Sequence, residues 1–277
     1  MKRLSLFVTI ALFAAGVVFA STGIANASHA WGNYHWARTA NPFALQVESD
    51  VGSTWTAHLN TAISDWTAST VLDLNKVDQA NTKPNCSGIS GKVRVCDRSY
   101  GFNGWLGVAQ IWISGDHIVA GTVKLNDSYF GTSTYNSPAW RSLVVCQEIG
   151  HTLGLDHQDE NFSNPNLGTC MDYTSDPDGP LSNENPNQHD YDELVSIYSH
   201  LDAFNSYAEP SGGGGSGGGG NGRGNGRGNG AAAPPGADID GVPAGAGPQD
   251  GDVFVRDLGN GNKVITYVFW VRPGNPR

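Results

Sequence analysis

The stretch from Gln147 to His157 holds the residues whose types and spacing are best suited to chemistry. Gln147 and His151 are four residues apart, so on a helix their side chains leave the same face one turn apart. Glu148 lies one step round that face. Gly154 lets the chain leave the helix with a positive φ, which returns His157 toward the same point. Two imidazoles, a third oxygen or nitrogen donor and a water form a four-coordinate zinc site.

A zinc site of this kind predicts hydrolysis. Zinc lowers the pKa of its water and polarises a carbonyl, while a nearby carboxylate, here Glu148, serves as the general base. Met171 follows His157 by fourteen residues and is the only methionine after Met1. We expect its thioether to form an apolar floor beneath the metal. Tyr173, two positions later, is expected to direct its hydroxyl at the oxyanion formed on substrate attack.

These residues resemble the metzincin zinc-protease signature H-E-x-x-H-x-x-G-x-x-H, with Met171 at the place of its Met-turn. The stretch 148–155 is similar to the serralysin and matrixin versions. Residues 171–173 keep the Met-x-Tyr form shared by astacins and serralysins. The resemblance covers roughly residues 30–205. It implies an α+β, zincin-like domain with a mixed twisted sheet, a long first helix, a central active-site helix and a late helix.

The resemblance also implies roles for individual residues. Glu148 would be the general base, His151 and His157 would bind one zinc ion, and Tyr173 would assist at the oxyanion. The stretch 118–125 would be the sheet edge along which an extended polypeptide substrate lies. The function implied is that of a secreted zinc-dependent metalloendopeptidase.

One position departs from the signature, because Gln147 stands where the first histidine ligand is expected. A glutamine oxygen can bind zinc, but it is a neutral and weaker donor than imidazole. Either Gln147 ligates zinc through its oxygen, or another side chain takes its place, or the site is degenerate. In the last case the chain is a catalytically impaired, secreted binding protein on a zincin scaffold. The candidates for a replacement ligand are Asp156, His29, His35, His117 and His189.

The elements that must position these residues are marked in the sequence. Ser53 is a plausible N-cap for a helix over 54–68 with an apolar face. Ser137 and Pro138 predict the start of the central helix, which Gly154 ends. A third helix is expected over about 189–204. Strands are predicted at 71–74, 92–96, 106–113 and 118–125, the last two joined by a turn at 114–116.

Four cysteines, Cys86, Cys96, Cys146 and Cys170, are an even number and suggest disulfides in an exported chain. Three pairings are possible. A Cys86–Cys96 bond would close a short loop and leave Cys146 with Cys170, tying the active-site helix to the Met-turn. The alternatives are free buried thiols, or a four-thiolate zinc site, which the absence of C-x₂-C spacing disfavours.

The N-terminus predicts secretion. Lys2 and Arg3 precede an apolar run over 4–20 and an A-x-A sequence at 25–27, so residues 1–27 are expected to be a cleaved signal peptide. The formal net charge of −10 disfavours a nucleic-acid binder, because phosphate contacts need clustered lysine and arginine. We expect a monomer without stable membrane insertion, acting on polypeptides.

Glycine divides the chain. Of its 37 glycines, 17 fall between Gly212 and Gly247, so residues 28–208 are expected to form the peptidase domain and 209–248 a disordered Gly/Pro/Ala-rich linker. The tail, 249–277, alternates like a β-hairpin. A lone hairpin is marginal in water, so it docks on the main domain, pairs with an unknown partner or stays loose.

A second metal is weakly suggested by a polar loop. A calcium ion takes several oxygen ligands, and the spacing here is not that of an EF-hand. A solvated loop is the alternative. The residues concerned are Asp176, Asp178, Asn183, Asn185 and Asp190.

Overall fold

A computed structural model describes residues 28–79, 86–208, 242–243 and 245–271. The predicted signal peptide, 1–27, and most of the predicted linker, 209–241 and 244, lie outside the described residues. Within those residues, no helix is both long and apolar enough to cross a membrane.

The chain forms a mixed α/β fold around one twisted sheet. The helices are α1 (Ser53–Thr67), α2 (Asp127–Phe130), α3 (Pro138–Thr152) and α4 (Gln188–Ile197), with a 3-10 turn at Pro248–Asp250. The strands are β1 (His35–Trp36), β2 (Phe43–Asp50), β3 (Leu72–Asp78), β4 (Val93–Arg98), β5 (Trp105–Ser114), β6 (His117–Asn126), β7 (Val253–Gly259) and β8 (Asn262–Trp270). The strand order is β3-β2-β4-β6-β5-β8-β7, with β1 beside β6.

The sheet order corrects one expectation from the sequence. Strand β6, which contains the predicted edge 118–125, lies inside the sheet between parallel β4 and antiparallel β5. The tight turn at 114–116 places β5 antiparallel beside β6, on the side opposite β4. The outer edge of β5 then pairs with β8 of the tail hairpin. Strand order depends on long-range pairing, which the alternation pattern of one strand does not specify.

Helix boundaries follow local capping in part. Ser137 accepts a hydrogen bond from the Trp140 N–H at the start of α3, with proline in the first turn. Helix α1 begins at Ser53, with Gly52 as its N-cap and no side-chain cap, so the expected Ser53 cap is wrong. Helix α4 ends at Ile197 rather than near 204, because the following segment runs back to β1: Asp202 N–H donates to the carbonyl of Arg38.

Two buried tryptophans hold the central helix in place. Helices α1 and α3 pack together against the sheet. The Trp66 indole donates to the Cys146 carbonyl at 3.0 Å, and the Trp36 indole donates to the Thr152 carbonyl at 2.9 Å. Both bonds are made to carbonyl groups of α3 by side chains that do not belong to this helix. One lies near the middle of α3 and the other in its last turn. Disulfides join Cys86 to Cys96 and Cys146 to Cys170.

Candidate metal centre

The last two turns of α3 carry three polar side chains into the interior. Gln147, Glu148 and His151 are at most 1% exposed. His151 Nδ1 lies 2.9 Å from the Leu155 carbonyl. A carbonyl only accepts, so Nδ1 carries the proton and Nε2 keeps its lone pair, as in histidines that bind metals. Burial lowers the pKa of His151 well below its usual range, which also keeps the ring neutral.

The turn at Gly154 brings His157 onto His151. Gly154 has φ of 99°, and the two Nε2 atoms are 3.0 Å apart. The rings stand nearly perpendicular, at 84°. Two ligands of a tetrahedral zinc ion, with Zn–N of about 2.0–2.1 Å, lie about 3.3 Å apart. The pair therefore has close to the spacing that one shared cation requires.

Gly154 carries a stability prediction. A Cβ there would lie 2.5 Å from the Tyr34 carbonyl oxygen, in addition to the strain of positive φ. We expect Gly154→Ala to lower the free energy of unfolding by about 2–4 kcal/mol, measured by urea denaturation. Gly115→Ala is the control, since Gly115 also has positive φ but no atom within 4 Å of an added Cβ. Equal losses in the two variants would contradict the close approach at Tyr34.

Two further polar side chains of α3, Gln147 and Glu148, are buried near His151 in sequence. Gln147 Nε2 donates to the Cys170 carbonyl at 2.7 Å, while its Oε1 has no hydrogen-bond partner. The fully buried carboxyl group of Glu148 lies near the backbone N–H of Ala109, which acts to lower its pKa. Each unsatisfied buried acceptor costs about 1–3 kcal/mol. The two facing imidazole nitrogens, with a glutamine oxygen on the same helix as His151, are donor types that zinc accepts, so these residues fit a zinc ion.

Burial governs the protonation of the site. It raises the pKa of Glu148 well above the usual range, with Asp252 acting in the same direction and His157 opposing it. For His157, burial alone would lower the pKa, but hydrogen bonds to Asp252 and Glu160 raise it to about 9. Burial thus favours the neutral form of the Glu148 carboxyl group, and the hydrogen bonds to Asp252 and Glu160 favour the protonated form of His157.

Met171 lies beneath the helix, as a floor would. It is fully buried, and a Cβ on Gly150 would lie 2.6 Å from its sulfur. The Cys146–Cys170 bond joins the residue before Gln147 to the residue before Met171. The disulfide therefore ties α3 to the segment that carries Met171.

Tyr173 lies against His157, with ring centroids 4.4 Å apart. Its hydroxyl donates to Asp252 Oδ2 at 2.8 Å. The same oxygen lies 3.1 Å from His157 Nδ1. The expected role at an oxyanion stays a prediction, because in this arrangement the hydroxyl serves Asp252.

Residues that sequence spacing missed complete the site from the tail. Asp252 is one, and Tyr267 is another: its ring stacks on His151 at 4.1 Å and 7°. Phe269 lies 5.1 Å from Tyr173 between ring centroids. These residues follow His157 by about 95 to 112 positions across a glycine-rich stretch, so no local pattern could connect them. The tail's alternation indicated a hairpin but not where it docks.

The candidate replacement ligands are placed elsewhere or differently. His29 lies 3.1 Å from Asp190 and stacks on His189, and His35 and His117 belong to a cluster with Asp202. Asp156 caps the backbone N–H of His157 at 2.9 Å. Gln147 is thus the side chain that shares α3 with His151 and offers a free oxygen.

In the loop suggested to bind calcium, the most buried side-chain oxygens already accept hydrogen bonds. Asn183 Oδ1 accepts from the N–H groups of Gly168 and Thr169, and Asp190 accepts from Thr169 and Gln158. Both side chains therefore act as internal braces of the loop.

Comparisons with known proteins give weak overlaps. No protein-family model matches the sequence, and no curated protein matches it. Among solved structures, myroilysin overlaps at a TM-score of 0.35 and 13% identity, covering 59% of this chain and 86% of that one. High choriolytic enzyme 1, a hatching enzyme zinc-protease from Oryzias latipes (medaka fish), overlaps at 0.33 and 13%, covering 60% and 94%.

Proposed function

We propose that this chain is a secreted, zinc-dependent metalloendopeptidase of metzincin type. The observation that carries the proposal is the His151–His157 pair, whose Nε2 atoms face each other at 3.0 Å, with Gln147 and Glu148 buried on the same helix as His151. His151, His157 and Gln147 Oε1 would hold one zinc ion. The free, buried Oε1 favours ligation by Gln147 over a degenerate site. Secretion is proposed on the N-terminal sequence and the two disulfides.

Zinc, when bound, would supply a Lewis acid that polarises the scissile carbonyl and acidifies water. The protein's own contribution centres on Glu148. A carboxylate with a raised pKa holds a proton more firmly than an exposed one, which suits a group that takes a proton from water and passes it to the leaving amine. The substrate class proposed is extended polypeptide, and the geometry favours the outer edge of β5 over β6 as its binding strand.

Digestion of casein tests the proposal. Because the tail covers the site, the intact chain and a chain cut within 211–230 are both assayed at micromolar concentration. We expect cleavage that a chelator abolishes and added zinc restores. Absence of cleavage in both forms, with zinc supplied, would contradict a peptidase.

Gln147 carries a separate prediction. Imidazole is a stronger zinc donor than an amide oxygen, so Gln147→His should raise zinc affinity by roughly tenfold or more, about 1.4 kcal/mol, in a competition titration with a chelating dye. Gln110→His, on β5 away from α3, is the control and should leave this affinity unchanged. Unchanged or weaker binding by Gln147→His would show that residue 147 is not at a ligand position.

A further inference from the structure

A second group of histidines converges far from α3 in sequence. His35 lies on β1, His117 begins β6, and His200 and Asp202 follow α4. His35 Nε2 lies 3.2 Å from His200 Nε2 and 3.5 Å from Asp202 Oδ2. His117 Nε2 lies 3.3 Å from Asp202 Oδ1, and His200 Nε2 lies 3.7 Å from that same oxygen. His35, His117 and Asp202 each offer a ligand atom within 4.8 Å of the other two, and His200 Nε2 lies beside His35 and Asp202, so potential ligands meet from three separate segments.

These separations match one small cation. Ligands of a tetrahedral zinc ion lie about 3.3 Å apart, given Zn–N and Zn–O of about 2.0–2.2 Å. The distances in the cluster, 3.2 to 3.7 Å, bracket that value. The closest of them, between His35 and His200, is near the 3.0 Å of the His151–His157 pair.

Neighbouring groups orient two of the four side chains. His35 Nδ1 lies 2.6 Å from the Asn33 carbonyl, so Nδ1 carries the proton and Nε2 faces the cluster with its lone pair. Arg38, fully buried, donates to Asp202 Oδ2 at 3.2 Å. This bond leaves Oδ1 directed at His117 and His200. Such outer hydrogen bonds are what hold metal ligands in place.

The cluster is open to an ion from outside. His35 and His200 line a surface depression of about 560 Å³. The side chain of His200 is 55% exposed, whereas that of His35 is 5% exposed. An ion can therefore approach past His200 and meet a buried histidine behind it.

We propose that His35, His117, His200 and Asp202 form a second, structural zinc site with a closed His₃Asp ligand set. A closed four-ligand set is typical of structural zinc, whereas the α3 site keeps a position for water. The ion would tie β1 and the segment after α4 to the start of β6. The competing explanation is an ion-paired cluster of protonated histidines around Asp202, which needs no metal.

Metal analysis of the full chain after dialysis against buffered zinc tests this site. The wild-type chain should retain two zinc ions, and His200→Ala and His117→Ala one each. His58→Ala, whose histidine bonds to Ser142, is the control and should retain two. Zinc should also raise the melting temperature of a His151→Ala, His157→Ala chain, and this rise should vanish on adding His200→Ala.

The outcomes distinguish failure of the second zinc site from failure of the proposed catalytic site. Retention of two ions by both His200→Ala and His117→Ala, or no zinc-dependent melting shift in the His151→Ala, His157→Ala chain, overturns the second site. A single ion that survives loss of His151 and His157 but not of His200 supports the second site and contradicts the proposed catalytic one.

An independent observation concerns the tail hairpin. Strand β8 pairs antiparallel with β5 from Trp105 to Ser114, along the whole outer edge of that strand. An extended peptide that adds to a free sheet edge makes the same backbone bonds. The tail therefore fills the position in which a substrate strand would lie next to α3.

Side chains of the hairpin also cover the site itself. Tyr267 and Phe269 are at most 1% exposed and lie on His151 and Tyr173, respectively. Asp252 holds the Tyr173 hydroxyl and His157 Nδ1. The chain's own tail therefore packs against the residues that are proposed to bind zinc or to contact a substrate.

On the basis of the proposed function, we infer that the tail hairpin occupies the substrate cleft and keeps the peptidase latent until the glycine-rich stretch is cut. A tethered segment competes at an effective concentration of the order of millimolar, which a cut followed by dilution removes. Arg223 and Arg227 lie within the glycine-rich run and offer cleavage points to a trypsin-like protease.

The test uses a chain with a site-specific protease sequence in place of 211–220. The chain is cut and diluted to about 1 µM, which is well below the effective concentration of the tethered tail. This treatment should raise the rate of cleavage of a fluorogenic peptide by at least about tenfold. The unmodified chain, treated with the same protease, is the control. In a Glu148→Gln background, a labelled extended peptide should bind only after the cut.

Outcomes separate this inference from the proposed function. Equal cleavage rates before and after hairpin release overturn latency and keep the peptidase. Peptide binding that appears only after the cut, without any cleavage activity in the parent chain, supports cleft occupancy and contradicts the peptidase. Peptide binding that is equal in the cut and uncut forms overturns cleft occupancy.

Discussion

Replacing Glu148 with glutamine should lower the rate of peptide cleavage by about 10²–10⁴-fold, the usual contribution of a general base. The amide has nearly the same shape but cannot take a proton. The measurement is kcat/KM on a fluorogenic peptide, with the cut chain.

A loss of activity in Glu148→Gln can be assigned to proton transfer only if the variant still binds zinc. Glu148 lies beside the ligands but is not one of them, so zinc content should stay unchanged. Glu193→Gln is the matched control, since Glu193 is also a buried carboxylate and is bonded to Ser28. Near wild-type activity in Glu148→Gln would contradict the assigned base.

Removing the Cys146–Cys170 disulfide should affect both stability and metal binding. Its loop of 24 residues predicts a loss of about 3 kcal/mol on replacing both cysteines with alanine. Gln147 Nε2 also bonds to the Cys170 carbonyl. Loosening that carbonyl frees the Gln147 oxygen to turn away, so zinc affinity should fall by about 10–100-fold, as for other groups that orient ligands.

The Cys86–Cys96 bond is the natural control for this prediction. Its separation of 10 residues gives a stability loss of similar size, about 3 kcal/mol, but it joins β4 to the segment before it rather than to α3. Melting curves and chelator competition should therefore show similar destabilisation in the two double variants and a loss of zinc affinity in only one. An equal effect on zinc in both would contradict the positioning role of Cys170.

The sequence predicted the boundaries of the central helix well. Ser137, Pro138 and Gly154 set the start and end of α3 through short-range capping and backbone preference. The spacing from Gln147 to His157 then determines which side chains face one another. Such features depend on a few neighbouring residues, so a single sequence is enough to predict them.

Long-range features were not predictable in the same way. The pairing of β8 with the outer side of β5 spans more than 140 residues of sequence. Asp252 and Tyr267 reach the site only through that pairing. The cluster around His35 likewise needs β1, β6 and the segment after α4 to meet. No periodicity in any one segment encodes those contacts.

The most direct test of the central claim is the anomalous difference density at the zinc absorption edge, from crystals of the zinc-loaded chain. We predict a peak bounded by Nε2 of His151, Nε2 of His157 and Oε1 of Gln147, beside Glu148. A map with no peak between the two histidines, from a chain that has been given excess zinc, would contradict the proposed metal centre.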